Sequence, residues 1–60
     1  METTFITTDS NGNKWYEIGG VTYGISPDGI SMDEEGAPLK NTFSEENNKI
    51  TEILEAAVAE

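Results

Sequence analysis

Carboxylates, amines, hydroxyls and phenols are the ionisable or nucleophilic side-chain groups this sequence holds, beside asparagine carboxamides, one indole and two thioethers. It carries 12 acidic residues and 3 basic ones, all lysine, with no histidine and no cysteine. Without imidazole, thiol or guanidinium, most nucleophilic and acid–base constellations cannot be assembled. Ser10, Ser26, Ser31 and Ser44 stand at turn or cap positions with no base at a recognisable spacing. Paired carboxylates could hydrolyse a glycoside, yet a chain of 60 residues leaves little room for a cleft of roughly 300 Å³ or more. No catalytic residue and no cofactor is assigned, and the chain is expected not to be an enzyme.

Metal binding fares no better. Asp9-Ser10-Asn11-Gly12-Asn13 imitates the opening of an EF-hand loop, but the sixth position is Lys14 where glycine is needed, and the twelfth is Gly20 where a bidentate glutamate is needed. Strand-like segments flank it, so it reads as a hairpin turn. Asp33-Glu34-Glu35 could hold a divalent cation weakly, but reads better as a solvated charge run. No metal ligand is assigned.

What remains is attraction by charge. A net charge of −9 cannot neutralise phosphates, so direct binding to nucleic acid or to an anionic membrane is disfavoured, and a basic protein surface is the expected partner. The same acidity also keeps a small protein soluble. The candidate partner-binding carboxylates are Asp28, Asp33, Glu34 and Glu35 in loops, and Glu45, Glu46, Glu52 and Glu55 on a helix. Residues 45, 49, 52 and 56 share one side of that helix, with Lys49 interrupting the acids and Glu55 lying off the line. Lysine at 33, 34 and 35 is expected to abolish partner binding without unfolding the chain. Trp15 is the candidate apolar anchor. It neighbours Tyr16 on a strand, so the two point to opposite faces, and which one faces the core stays open.

The elements that must position these groups are legible from pattern. Thr3 to Thr8 is β-branched and aromatic and reads as a strand. Asn11-Gly12 supplies a tight turn, and Lys14 to Ile18 returns antiparallel. Gly19-Gly20 punctuates. Val21, Tyr23 and Ile25 then alternate with Thr22, Gly24 and Ser26, the period of a half-buried strand. Gly24 in mid-strand marks a bulge or the close approach of another backbone. Ser26-Pro27-Asp28-Gly29 is a turn signal, and Ile30 to Met32 is a short fourth strand. Residues 33–41 read as a loop under which Leu39 tucks. Thr42-Phe43-Ser44-Glu45 has the form of a capping box, with Ser44 as a rival cap. Ile50, Ile53, Leu54, Ala57 and Val58 make a core-facing stripe, Lys49, Glu52 and Ala56 face away, and Glu60 opposes the dipole at a fraying end. The expected architecture is α+β: an antiparallel three- to four-stranded β-meander (3–32), a loop (33–41) and one C-terminal α-helix (42–59), together a single domain over 1–60. Strand one does not show whether Phe5 or Ile6 faces the helix.

A domain this small has a marginal core, and without cysteine a second copy of the chain or a target protein is its remaining support. The segment Thr7-Thr8-Asp9-Ser10-Asn11-Gly12-Asn13-Lys14-Trp15-Tyr16-Glu17 resembles the acidic hairpin and following aromatic pair of small phage-encoded uracil-DNA glycosylase inhibitors. Size, acidity and make-up are also similar to those of anti-CRISPR proteins. The resemblance implies a phage or mobile-element protein that blocks a basic, nucleic-acid-binding host factor by charge mimicry. The C-terminal helix and Ser26-Pro27-Asp28-Gly29 have no counterpart in the inhibitor pattern, and no functional residue is carried over. The alternative is a structural or interaction module that pairs with its own copy as a homodimer through an open sheet edge; a weak calcium-dependent module is a third. Met1 to Thr4 is not the start of a signal peptide and no stretch has the length of a membrane span, so a cytoplasmic location, that of the host if phage-encoded, is expected.

Overall fold

The computed structural model describes residues 2–41 and 44–59. Four strands form one antiparallel sheet in the order of the chain: β1 (Thr3–Thr8), β2 (Lys14–Ile18), β3 (Val21–Ile25) and β4 (Ser31–Asp33). A 3-10 turn (Leu39–Asn41) and one helix, α1 (Glu45–Val58), follow. The fold is α+β, with the helix packed against one face of the sheet.

Three turns share one design. In Asp9–Asn13, Ser26–Ile30 and Asp33–Ala37 the first residue's N–H donates to the fifth residue's C=O at 2.9, 3.0 and 3.0 Å, and the fourth residue's N–H donates back to the first residue's C=O at 3.1, 2.9 and 3.0 Å. The fourth residue is glycine each time, at φ 84°, 87° and 88°, a left-handed backbone that a side chain disfavours. The first residue is one whose side chain accepts from the backbone it precedes. Asp9 Oδ1 takes the N–H groups of Asn11 and Asn13, both at 2.9 Å; Asp33 Oδ1 takes those of Glu35 and Ala37, both at 2.9 Å; Ser26 Oγ takes that of Ile30 at 3.0 Å. At the first turn the sequence points to the Asn-Gly pair, but Gly12 alone carries the positive φ, because Asn11 has a carboxylate to donate to. Residues 33–41 likewise hold more structure than a loop: the third turn, a bridge from Pro38 back to Met32, and the 3-10 turn. Leu39 is buried there, as its position predicts.

Register decides the faces. Tyr16 pairs with Tyr23, Trp15 with Gly24 and Lys14 with Ile25. Tyr16, Ile18, Tyr23 and Ile25 are buried with Leu39, Ile50 and Leu54, so Tyr16, not Trp15, faces the helix. Trp15 lies on the outer face across Gly24, where an added Cβ would stand 2.7 Å from the indole. The mid-strand glycine therefore admits a side chain, not another backbone. In β1, Phe5 pairs with Tyr16 and so shares its inner face, while the register shifts between Phe5 and Thr7 and leaves Ile6 in a bulge.

The helix begins at Ser44, whose Oγ accepts from the N–H of Asn47 at 3.3 Å; the rival cap at Thr42 lies outside the described residues, as does Glu60. Ile50 and Leu54 are buried, and Ile53, Ala57 and Val58 pack partly against the core, which is the predicted stripe. Thr51 is buried as well, and its hydroxyl, like that of buried Ser31, has no hydrogen-bond partner among the described residues. A buried hydroxyl without a partner costs about 1–3 kcal/mol.

Two outcomes follow from this packing. Gly24→Ala is expected to destabilise by about 1–3 kcal/mol through overpacking, and in a Trp15→Ala background most of that loss should vanish in a double-mutant cycle followed by chemical denaturation; additive losses would mean the indole is not what fills the space. Thr51→Val removes the orphaned hydroxyl at constant shape and is expected to raise stability by about 1 kcal/mol, read as a higher denaturant midpoint at unchanged slope.

Candidate protein-binding surfaces

The predicted acidic site divides when it is placed on the fold. Glu34 and Glu35 stand exposed at the tip of the third turn, and Glu45 and Glu46 exposed in the first turn of α1. Tyr23 joins these groups. It pairs with Asp33 across β3 and β4, and its phenol is pushed above the ordinary 10.0 by burial first, then by the charges of Glu46 and Glu34. The third turn and the helix N-terminus therefore both place a carboxylate on the side of the molecule where Tyr23 lies. Negative charge in the first helical turn is also favoured by the helix dipole.

The other candidates lie elsewhere or have structural work. Asp33 spends Oδ1 on two backbone N–H groups, so lysine at 33 would open the turn; the expectation that all three acids from 33 to 35 can be reversed without harm to the fold is corrected to Glu34 and Glu35. Asp28 sits in the second turn, whose Pro27 and Gly29 line a concavity with Val58. At ~1.5 Å per residue that is about 18 Å along the helix from Glu46. Glu55 pairs with Lys40 at 3.2 Å, both side chains exposed, a pair of small energetic weight. It is the ion pair found among the described residues; Glu45 and Lys49, though in favourable order, do not form one. Glu52 is exposed on the outer helix face.

Trp15 is half-buried, and its indole N–H donates to Asp9 Oδ2 at 2.9 Å. That carboxylate thus accepts from Trp15, from Asn13 Nδ2 at 3.2 Å and from two backbone N–H groups. Its pKa is held below 3.8, chiefly by the Trp15 bond. The residues that imitate a calcium loop accordingly spend Asp9 on N–H donors, and among the described residues no three acidic side chains are grouped to hold a metal ion. No helix among them is long and apolar enough to cross a membrane.

The surface that the sequence does not announce lies beside β1. The helix packs chiefly on β3, β4 and the 3-10 turn, leaving Phe5 54 % exposed although it faces the helix side. Its ring meets that of Tyr16 edge-on, with centroids 5.4 Å apart. Thr3, Phe5 and Tyr16 form the floor, and Ile53, Ala56 and Ala57 the wall, of a groove of about 460 Å³; this open concavity is larger than the chain length suggests, and Ala56 borders it although the sequence pattern turns it away. The sequence signals were present, in an uncharged strand one, in Ala57 on the helix stripe and in Ala56 beside it. Their meeting depends on where the helix crosses the sheet.

Comparison of the chain with protein-family profiles, with curated proteins and with solved structures finds no match.

The meeting of charges at Tyr23 has a direct readout. Its phenolate should form above pH 10.0 by ultraviolet titration, and Glu46→Gln should bring the midpoint down by removing a like charge. Because the folded pKa is raised, this group's contribution to stability is complete below the unfolded value and is lost as pH rises through the folded one. A midpoint indifferent to Glu46 and Glu34 would separate the turn from the helix end.

Proposed function

We propose that the protein is a non-enzymatic inhibitor that occupies a basic, nucleic-acid-binding surface of another protein, offering carboxylates where that surface receives phosphates. The observation that carries this reading is that Glu46, in the first turn of α1, and Glu34, in the third turn, both act on Tyr23, with exposed Glu45 and Glu35 next to them in the chain, in a protein of net charge −9. A field of that sign speeds encounter with a cationic groove and repels nucleic acid itself. Held on a hydrogen-bonded turn and a capped helix, the backbone that carries the four carboxylates needs no ordering when a partner binds. The hairpin resemblance supports a phage or mobile-element source, and with it action in a host cytoplasm.

A second reading is a homodimeric interaction module. It is favoured by the exposed β1 edge, where Phe5 and Ile6 are 54 % and 49 % exposed.

Capture from bacterial lysate at low and moderate salt tests the first reading. A basic nucleic-acid-handling protein should bind at low salt and weaken steeply as salt rises, and Glu34→Lys with Glu35→Lys should cost about tenfold or more in affinity while leaving the melting temperature unchanged. Turnover of a substrate, tight association with bare DNA, or undiminished binding by the double variant would overturn it. A melting temperature that climbs with protein concentration, with no salt-sensitive partner, would favour the dimer.

A further inference from the structure

We infer that the open edge of β1, with the groove beside it, receives an extended segment of the partner in which apolar residues alternate with lysine or arginine. The inference rests on the reading above for the sign of the partner's charge, and adds where and in what conformation that partner is held.

The two edges of the sheet differ. Beyond β4 the bridge from Pro38 to Met32 covers the edge. β1 ends the sheet on the other side and has none of the lysine or proline that commonly blunts an edge. Its six residues are Thr-Thr-Phe-Ile-Thr-Thr, so no charge within the strand opposes an approaching backbone. The bulge at Ile6 limits regular pairing to Thr3–Phe5, the stretch that faces the groove.

A strand added about 4.8 Å beyond β1 turns alternate side chains to the two faces of the sheet. One set enters the groove, against Phe5, Ile53 and Ala57, where small Ala56 and Ala57 leave room. The other set meets the outer face, where Glu2 and Glu17 line a neighbouring concavity with Thr4. This mode draws affinity from main-chain bonds and specificity from alternate side chains.

Charge selects among occupants. A second copy would bring −9 against −9, and its own uncharged β1 would leave Glu2 and Glu17 unanswered. A basic strand answers them.

The probe is a capped eight-residue peptide alternating valine with lysine, added to the intact chain and followed by NMR and amide hydrogen exchange, beside a valine–glutamate peptide of equal length. The lysine peptide should bind at least about tenfold more tightly than its acidic counterpart and slow exchange of β1 amides. Ala56→Arg, at an exposed position, fills the groove against the valine side chains and should weaken binding by about tenfold or more at unchanged melting temperature. Equal affinity for the two peptides, protection confined to α1, indifference to Ala56→Arg, or β1 amides already protected by self-association would each overturn the inference. Glu34→Lys with Glu35→Lys keeps the two proposals apart: a basic target whose binding that variant abolishes, in a chain to which the lysine peptide does not bind, leaves charge mimicry standing and removes the strand site alone.

Discussion

Each of three turns closes on an oxygen supplied by its own first residue, Asp9, Ser26 or Asp33, and the register of the sheet hangs on that closure. Strand side chains alternate between faces, so a slip of one residue would carry a strand's whole apolar set from the core to solvent. With Tyr16, Ile18, Tyr23 and Ile25 supplying most of the sheet's buried apolar surface, the domain has nothing in reserve against such a slip. Fixing the turn by a side-chain acceptor disfavours the alternative pairings through local bonds.

The register so set explains what lies on each face. Tyr16 opposite Tyr23 and Ile18 opposite Val21 turn the aromatic and branched residues toward the helix, and the same pairing sets Trp15 opposite Gly24. An indole lying across a bare backbone gives the outer face its own packed layer, tied to the first turn through Asp9. The single helix spans β3 and β4 and stops short of β1. One helix is too narrow to cover four strands, and the uncovered part is the groove at Phe5.

Function, on this reading, belongs to field and shape. Nine units of net negative charge would strain so small a domain if they were gathered in one place. They are spread over the turns and the helix, and the group at Tyr23 is made tolerable by the helix N-terminus, whose partial positive charge faces Glu45 and Glu46. The acidic side and the apolar groove are separate surfaces, one suited to attracting a basic partner and the other to holding a segment of it.

The sequence by itself determined what local geometry decides. The strands from Thr3 to Met32, the turn residues, the apolar stripe from Ile50 to Val58 and the α+β class were all legible, because periodicity, capping oxygens and glycine are properties of neighbouring residues. It also determined the lack of imidazole, thiol and guanidinium chemistry, a matter of composition. The tertiary structure alone decided that Tyr16 turns inward and Trp15 outward, since both satisfy the same alternation and Gly24 had first to be set opposite the indole. It decided that Asp33 serves its turn while Glu34 joins Glu46 at Tyr23, and that Asp28 stands far from both. It decided that Phe5, Ile53 and Ala56 line one groove. Those relations join residues distant in the chain through the crossing of helix and sheet, and no pattern within a single segment records where that crossing falls.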